Sequence, residues 1–185
     1  MTAPIPGNRG EFRWVPYYCE ENVYHLAQHP AVAGRPREVV FIGNAERSCA
    51  MWRQSAAVRP GWPILWDYHV VLLCAEPWEV WDLDTTLGMP VRAADYLRLS
   101  FREGIPEELT PRFRVVDADL FTRSFASDRS HMRTRSGRYR KPPPPWPAIL
   151  PAGAESNLMR FADMTAPFLG EVLDLRGLLS RIADA

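Results

Sequence analysis

The alternation of apolar and polar positions along this 185-residue chain predicts several short strands. The clearest are the runs WPILWDYHVVLLCA (62–75) and WEVWDLDTT (78–86), which are rich in aromatic and β-branched residues. The Glu-Pro step between them suits a tight turn and indicates a hairpin. EVVFIGN (38–44) and RFRVVDADLF (112–121) are predicted as further strands.

Apolar positions three or four residues apart predict helices elsewhere. In CEENVYHLAQHP (19–30), Val23, Leu26 and Ala27 share one face, and Pro30 lies just past the expected end. Similar spacing predicts helices in 91–101, 157–164 and 172–183, whereas SCAMWRQSA (48–56) fits either a helical turn or a connector. Helices segregated from a mostly antiparallel sheet make the predicted fold class α+β.

The length and composition fit one domain spanning residues 1–185, with 46% hydrophobic residues and no need of disulfides to hold its core. Residues 1–13 are expected to form a flexible arm. The 18 prolines indicate many loops, and residues 133–147 form a basic, proline-rich one. Its PPPP stretch fits a rigid structural strap better than a ligand for another domain.

The charge balance narrows the classes of protein. Lysine plus arginine equals aspartate plus glutamate, 22 each, which argues against a nucleic-acid or membrane-surface protein. No apolar run approaches the ~20 residues of a membrane span, and the first residues do not have the pattern of a secretory signal. The three cysteines have no metal-like spacing, which favours a reduced, cytoplasmic protein without a metal. A monomer is expected.

Cys19 is the candidate nucleophile. It lies at the predicted start of a helix, where unpaired backbone N–H groups and the helix dipole favour a thiolate. Glu20 and Glu21 oppose this effect, so a thiolate would require a cationic partner such as a histidine. A buried, inert cysteine is the alternative at such a position.

His69 stands in the middle of an apolar strand, where it is either a hydrogen-bonded core residue or a catalytic base. If the hairpin loop has an even number of residues, His69 faces Asp82 and Asp84 on the neighbouring strand, directly or diagonally. A carboxylate there could hold the imidazole and stabilise its charged form. The spacing does not choose between the two aspartates.

Six sequence blocks, in order, resemble the protein N-terminal glutamine amidohydrolases. The blocks are YYCEEN, WDYHVVLL, WDLDTTL, FRVVDADLF, FASDRSHM and PPPPWP, and the resemblance runs from about Tyr17 to Phe161. It implies conversion of an N-terminal glutamine to glutamate through a cysteine thioester, on a papain/transglutaminase-like fold, without a cofactor. Carried over by motif, Cys19 is the nucleophile, His69 the base and Asp82 its orienting acid.

Selectivity for a chain terminus requires recognition of the α-ammonium group, and the sequence leaves the acceptor open among Asp67, Asp128 and the two acids after Cys19. The residues predicted to bind substrate are Asp67, Tyr68, Ser127 and Asp128, with Arg129 and His131 as neighbours. Loop capping and salt bridging are the alternative roles of these loop residues.

Two other functions fit the same residues. A cysteine peptidase or a transglutaminase-like acyl transferase would use the same nucleophile and base with a different substrate or acceptor. A peptide-binding adaptor would keep the fold without turnover, but it would have no need of Cys19, His69 and Asp82 together. The expected partners are therefore proteins or peptides that begin with glutamine.

Overall fold

A six-stranded antiparallel sheet forms the centre of the protein, as a computed structural model describes it over residues 9–183. The strands are β1 (Arg37–Gly43), β2 (Cys49–Met51), β3 (Ile64–Trp66), β4 (Tyr68–Cys74), β5 (Glu79–Trp81), β6 (Val91–Arg92), β7 (Arg112–Asp117) and β8 (Glu171–Leu173). The α-helices are α1 (Cys19–Leu26), α2 (Ala93–Ser100), α3 (Ala118–Ser124), α4 (Leu158–Ala162) and α5 (Leu175–Ala183). The sheet order is β6-β5-β4-β1-β7-β8, and β2 pairs with β3 separately. The predicted α+β class is confirmed.

Helices cover both faces of the sheet, and this explains the unbroken apolar run of β4. On one face, Val70 and Leu72 belong to a core that also receives side chains from α1, α3 and α4. On the other face, Val71 and Leu73 belong to a second core with α2 and α5. A strand buried on both sides reads as continuously apolar rather than alternating. β4 is therefore a rigid base for any side chain placed at its start.

The register of the β4–β5 hairpin is as predicted. Leu72 pairs with Trp81 and Leu73 with Val80, so facing residues have numbers with an odd sum, as expected for the even-numbered loop at 75–78. Extending this register places His69 opposite Asp84, with Asp82 diagonal to it. The predicted approach of His69 to these aspartates follows from the pairing of two short strands.

Two predicted strands have different bounds. The apolar run 62–75 is two strands, because Asp67 separates β3, which pairs with β2, from β4 in the main sheet. The helical alternative for residues 48–56 is wrong, since Cys49–Met51 is the partner of β3. The run 78–86 keeps ladder pairing only over Glu79–Trp81, so both aspartates lie beyond the strand end.

Two further elements were predicted too long. The strand predicted over 112–121 ends at Asp117, whose side chain accepts a hydrogen bond from the Leu120 N–H and caps α3. The helix predicted over 172–183 is preceded by β8, and Asp174 accepts from the Gly177 N–H between the two elements. In both places an aspartate switches the chain from strand to helix.

The N-terminal segment packs earlier than predicted. Of the expected flexible arm, residues 1–8 lie outside the described residues, but Phe12 makes edge contacts with the rings of His29 and Trp81 at 4.8 and 6.0 Å. Phe12 is therefore packed against other parts of the protein. Within residues 9–183, no helix is long and apolar enough to cross a bilayer.

Candidate active site

Cys19 is the first residue of α1, and the chain before the helix is held in place. The Asn22 side chain accepts a hydrogen bond from the Val15 N–H and donates one to the Val15 carbonyl, at 3.0 and 2.9 Å. Tyr18 precedes the helix without a side-chain cap. The N–H groups of the first turn therefore have no side-chain acceptor from that position. Cys19 is only 8% exposed and belongs to the same apolar core as Val70 and Leu72 of β4.

His69 and Asp82 form a buried pair at the mouth of the β4–β5 hairpin. The His69 Nε2 lies 2.9 Å from Asp82 Oδ1, and both side chains are 1% exposed. The ring of Trp66 stacks on the imidazole, with centroids 5.5 Å apart and planes 15° from parallel. Since Nε2 contacts the carboxylate, Nδ1 is the ring nitrogen left for exchange of a proton with another group.

The other lone pairs of Asp82 are also occupied. Its Oδ1 accepts a second hydrogen bond from the Asp84 N–H, and its Oδ2 accepts from Gln54 Nε2 and from the Tyr96 hydroxyl, at 2.9 and 2.8 Å. Sequence reasoning missed both Gln54 and Tyr96. Neither lies in a motif, and each approaches Asp82 only after the sheet has formed. They fix the orientation of the carboxylate that holds His69.

Opposing effects act on the ionisation of this pair. Burial alone would lower the pKa of His69, but the charge and hydrogen bond of Asp82 outweigh it, and the pKa is raised. Burial alone would raise the pKa of Asp82, but the charge and hydrogen bond of His69 hold it below its usual value, with help from Gln54 and the Asp84 N–H. The pair therefore stabilises the imidazolium that forms when His69 takes up a proton.

The surroundings of the Cys19 thiol oppose its ionisation. Burial raises its pKa well above the usual value, and the charges of Glu20, Asp84 and Asp67 raise it further. A backbone hydrogen bond from Val70, the neighbour of His69, acts in the other direction. The charges that act on the thiol therefore come both from α1 and from the aspartate that groups with His69 and Asp82. A thiolate here depends on a nearby positive charge.

Glu21 is the buried acid of an anchoring cluster, defined here as Glu21, Arg129 and Trp146. Arg129 donates two hydrogen bonds of 2.7 Å to the two carboxylate oxygens, and Trp146 Nε1 donates another of 2.8 Å. Arg129 also donates to the carbonyls of Pro144 and Trp146. The proline-rich segment is thereby fastened to α1, as the strap interpretation predicts.

Glu20 is equally buried, but its surroundings are different. Its Oε2 accepts a hydrogen bond from the Tyr68 hydroxyl at 3.1 Å and lies 3.7 Å from the Cys19 sulfur. Its Oε1 makes no hydrogen bond within the described part of the chain, although His131 Nε2 approaches to 3.4 Å. A buried carboxylate oxygen without a hydrogen bond costs about 1–3 kcal/mol. Glu20 Oε1 is therefore a buried acceptor to which no group of the described chain donates a hydrogen bond.

The structure separates the four predicted substrate-binding residues. Tyr68 is buried beside Cys19 and Glu20, whereas Asp67 is exposed and pairs with Arg47 at 3.3 Å. Ser127 is buried, and its hydroxyl accepts from the Arg129 N–H. Asp128 is exposed and caps the turn at the Ser130 N–H, at 2.9 Å. The last two thus make the loop-capping contacts that were the alternative expectation.

His69, Asp82 and Asp84 also form a group that could hold a metal ion, since each offers a ligating atom within 4.8 Å of the others. In the structure the His69 Nε2 and both oxygens of Asp82 are already engaged with one another or with Gln54, Tyr96 and the Asp84 N–H. Asp84 Oδ1 accepts from Trp14 Nε1 at 3.0 Å. These contacts fit a hydrogen-bonded pair that orients an imidazole.

A cysteine at a helix start, packed on a strand that carries an aspartate-bound histidine, is the arrangement of hydrolases and acyl transferases with a cysteine nucleophile. Comparison with known proteins defines the group more closely. The family model described as N-terminal glutamine amidase matches residues 14–182. The chain belongs to this family, and the resemblance predicted from the sequence blocks is confirmed.

Named relatives agree with this assignment. The human protein N-terminal glutamine amidohydrolase is 39% identical over 157 residues, which cover 80% of this chain and 76% of the human protein. The protein of the same name from Arabidopsis thaliana is 36% identical over 179 residues, covering 89% and 80%. A Drosophila erecta protein of that name is 36% identical over 170 residues, covering 85% and 80%.

Proposed function

We propose that this protein deamidates N-terminal glutamine on proteins and peptides, releasing ammonia and leaving glutamate. Membership of the N-terminal glutamine amidase family supports the reaction class. The observation in the structure that carries the proposal is the buried His69–Asp82 pair, whose histidine lies on the strand that packs against the helix beginning at Cys19. An adaptor would gain nothing from burying such a pair, because desolvating it is costly.

In the proposed reaction, Cys19 is the nucleophile and His69 moves the protons. His69 takes the thiol proton through Nδ1, and the sulfur attacks the carbon of the glutamine side-chain amide. The imidazolium then gives its proton to the leaving nitrogen, the C–N bond breaks, and ammonia departs from a thioester. Water, deprotonated by His69, attacks the thioester to release glutamate and the thiol.

Asp82 and the start of α1 supply the electrostatic support. Asp82 fixes the imidazole ring and stabilises its charged form, while Gln54 and Tyr96 hold Asp82. The N–H of Cys19, at the uncapped start of the helix, is a donor for the oxyanion of the tetrahedral intermediate. Such donors have contributed about 3–4 kcal/mol each where they have been removed by mutation.

We also propose that four residues lie near the bound terminal glutamine: Asp67, Tyr68, Ser127 and Asp128. Of these, Tyr68 has the strongest support, because its hydroxyl reaches the acid next to the nucleophile. We further expect a cytoplasmic monomer that needs no cofactor.

The direct test is a Gln-initiated peptide incubated with purified protein, with ammonia and peptide mass both followed. We expect ammonia and an amide-to-acid mass gain in equal amounts. Cys19→Ser should abolish both, whereas Cys49→Ala and Cys74→Ala, at buried free cysteines that have no role in the proposed reaction, should retain them. Cleavage of the peptide chain would instead indicate a peptidase, and transfer to an added amine a transglutaminase-like enzyme.

A further inference from the structure

The first turn of α1 holds two buried acids, and only one of them is satisfied by the fold. Glu20 and Glu21 are both 0% exposed. Glu21 receives three hydrogen bonds from Arg129 and Trp146. Glu20 accepts hydrogen bonds at Oε2, from the Tyr68 hydroxyl and the Cys19 thiol. Within the described residues its Oε1 accepts none, although His131 Nε2 lies 3.4 Å away. A fold that desolvates a carboxylate beside a nucleophile and leaves one of its oxygens without a hydrogen bond has an acceptor suited to a cationic ligand.

The distances suit one end of a terminal glutamine. In glutamine, four bonds separate the α-nitrogen from the side-chain amide carbon, a span of at most about 5 Å. The Glu20 carboxylate begins 3.7 Å from the Cys19 sulfur, so a glutamine can reach both groups at once by bending its side chain. Asparagine is one methylene shorter.

We propose that Glu20 binds the α-ammonium of the terminal glutamine through Oε1, and that this pairing neutralises the negative charge beside Cys19 when the substrate binds. This inference rests on the proposed function, and it assigns Glu20 as the residue that restricts deamidation to glutamine at a chain terminus. Among the candidate acceptors, Asp67 pairs with Arg47, Asp128 caps a turn, and Glu21 is saturated.

The charge of Glu20 links recognition to reactivity. It contributes to keeping the Cys19 thiol protonated, after burial itself. It also acts on Tyr68, whose pKa is raised first by burial and then by Glu20, so that the phenol stays a donor to Oε2. An ammonium at Oε1 would cancel this negative charge. The thiol would then lose its proton to His69 more readily in the complex than in the free enzyme.

The variant Glu20→Gln separates this role from a structural one, because its two effects have opposite directions. We expect kcat/KM for a Gln-initiated peptide to fall about 10- to 100-fold, since a hydrogen bond to a charged group is lost. We also expect iodoacetamide to label Cys19 faster in the free variant than in the wild type, since a neighbouring negative charge is gone. A damaged fold would not accelerate labelling at one cysteine while Cys49 and Cys74 stay protected.

Glu21→Gln is the matched control, with the same side chain, burial and helix turn. It should lower the unfolding temperature and leave the preference for a free amine over an N-acetylated terminus intact. If Glu20→Gln does not fold, the wild type provides the test. A Glu-initiated product peptide should inhibit at least about tenfold better than its N-acetylated form.

The outcomes distinguish this inference from the proposed function. If the wild type does not deamidate the Gln-initiated peptide, the function itself is refuted. If the wild type does, but Glu20→Gln retains kcat/KM within twofold or labels no faster, Glu20 is not the ammonium acceptor. Equal inhibition by free and acetylated product peptides would overturn the inference in the same way.

Discussion

The first turn of α1 carries two buried acids, Glu20 and Glu21, which differ in their hydrogen bonds. In the anchoring cluster, both oxygens of Glu21 accept hydrogen bonds, from Arg129 and Trp146. In what we term the reactive cluster, defined as Cys19, Glu20, Tyr68, His69 and Asp82, one carboxylate is saturated and the other lacks a donor at Oε1 within the described chain. Of the two acids in this turn, the one whose oxygens are all satisfied holds the fold, and the one with an oxygen that accepts no hydrogen bond offers a place for a ligand.

The largest expected effect comes from the nucleophile and base of the reactive cluster. Cys19→Ser and His69→Ala should each lower kcat for a Gln-initiated peptide about 10⁵-fold, and the double variant should be no worse, because the two residues act as one unit. Initial-rate measurements of ammonia release would show this. Activity within tenfold of wild type in either variant would remove that residue from the mechanism.

Loss of the orienting acid should be nearly as severe. Asp82→Asn keeps the shape but not the charge that stabilises the imidazolium, and we expect kcat to fall about 10⁴-fold. Asp84→Asn, measured in the same assay, should remain within about tenfold, because Asp84 contacts Trp14 and reaches Asp82 through its backbone N–H. The opposite ranking would assign the orienting role to Asp84.

The anchoring cluster should respond in stability instead. Glu21→Gln leaves the buried Arg129 guanidinium without its carboxylate, at a cost of about 3–5 kcal/mol. For a domain of this size the unfolding midpoint should fall by roughly 10 °C. Calorimetry would measure the shift, and kcat at a temperature where the variant is folded should stay near wild type. A large fall in kcat without a loss of stability would erase the distinction between the clusters.

The His69–Asp82 pair should also leave a pH signature in stability. His69 has a raised pKa, so its contribution is complete below about pH 6.5 and is lost as the pH rises through its folded-state value. Asp82 has a lowered pKa, so its contribution is complete above about pH 3.9 and is lost as the pH falls through its folded-state value. The unfolding free energy of the wild type should therefore exceed that of Asp82→Asn most between those two pH limits, by about 2 kcal/mol. A pH-independent difference in unfolding free energy would contradict the ion pair.

The smallest effect concerns the edge of the reactive cluster. Asp84→Asn should cost about 1 kcal/mol of unfolding free energy, because an amide oxygen still accepts from Trp14 but without charge. Denaturant unfolding would measure it. A cost comparable to that of Glu21→Gln would place Asp84 among the groups that hold the fold.

The sequence predicts those features of the fold and site that depend on residues close together along the chain. The register of His69 against Asp82 follows from a hairpin with a short loop, so local patterns suffice. Gln54 and Tyr96 reach Asp82 from separate elements, and no periodicity indicates that they converge. The strand at Cys49–Met51 is equally hidden, because three residues have too little pattern and depend on pairing with β3. Glu20 and Glu21 are adjacent and identical in the sequence, so the sequence does not indicate that their hydrogen-bond partners differ.

In the proposed reaction, the site hydrolyses the side-chain amide of glutamine only at a free chain terminus. A competition experiment tests this restriction, with a Gln-initiated peptide and its N-acetylated form mixed in one tube with the wild-type protein and followed by mass spectrometry. We expect that only the free-amine peptide gains the mass of an amide-to-acid conversion, and that Cys19→Ser leaves both unchanged. Conversion of both peptides at comparable rates would contradict recognition of the terminus, and conversion of neither would contradict the function.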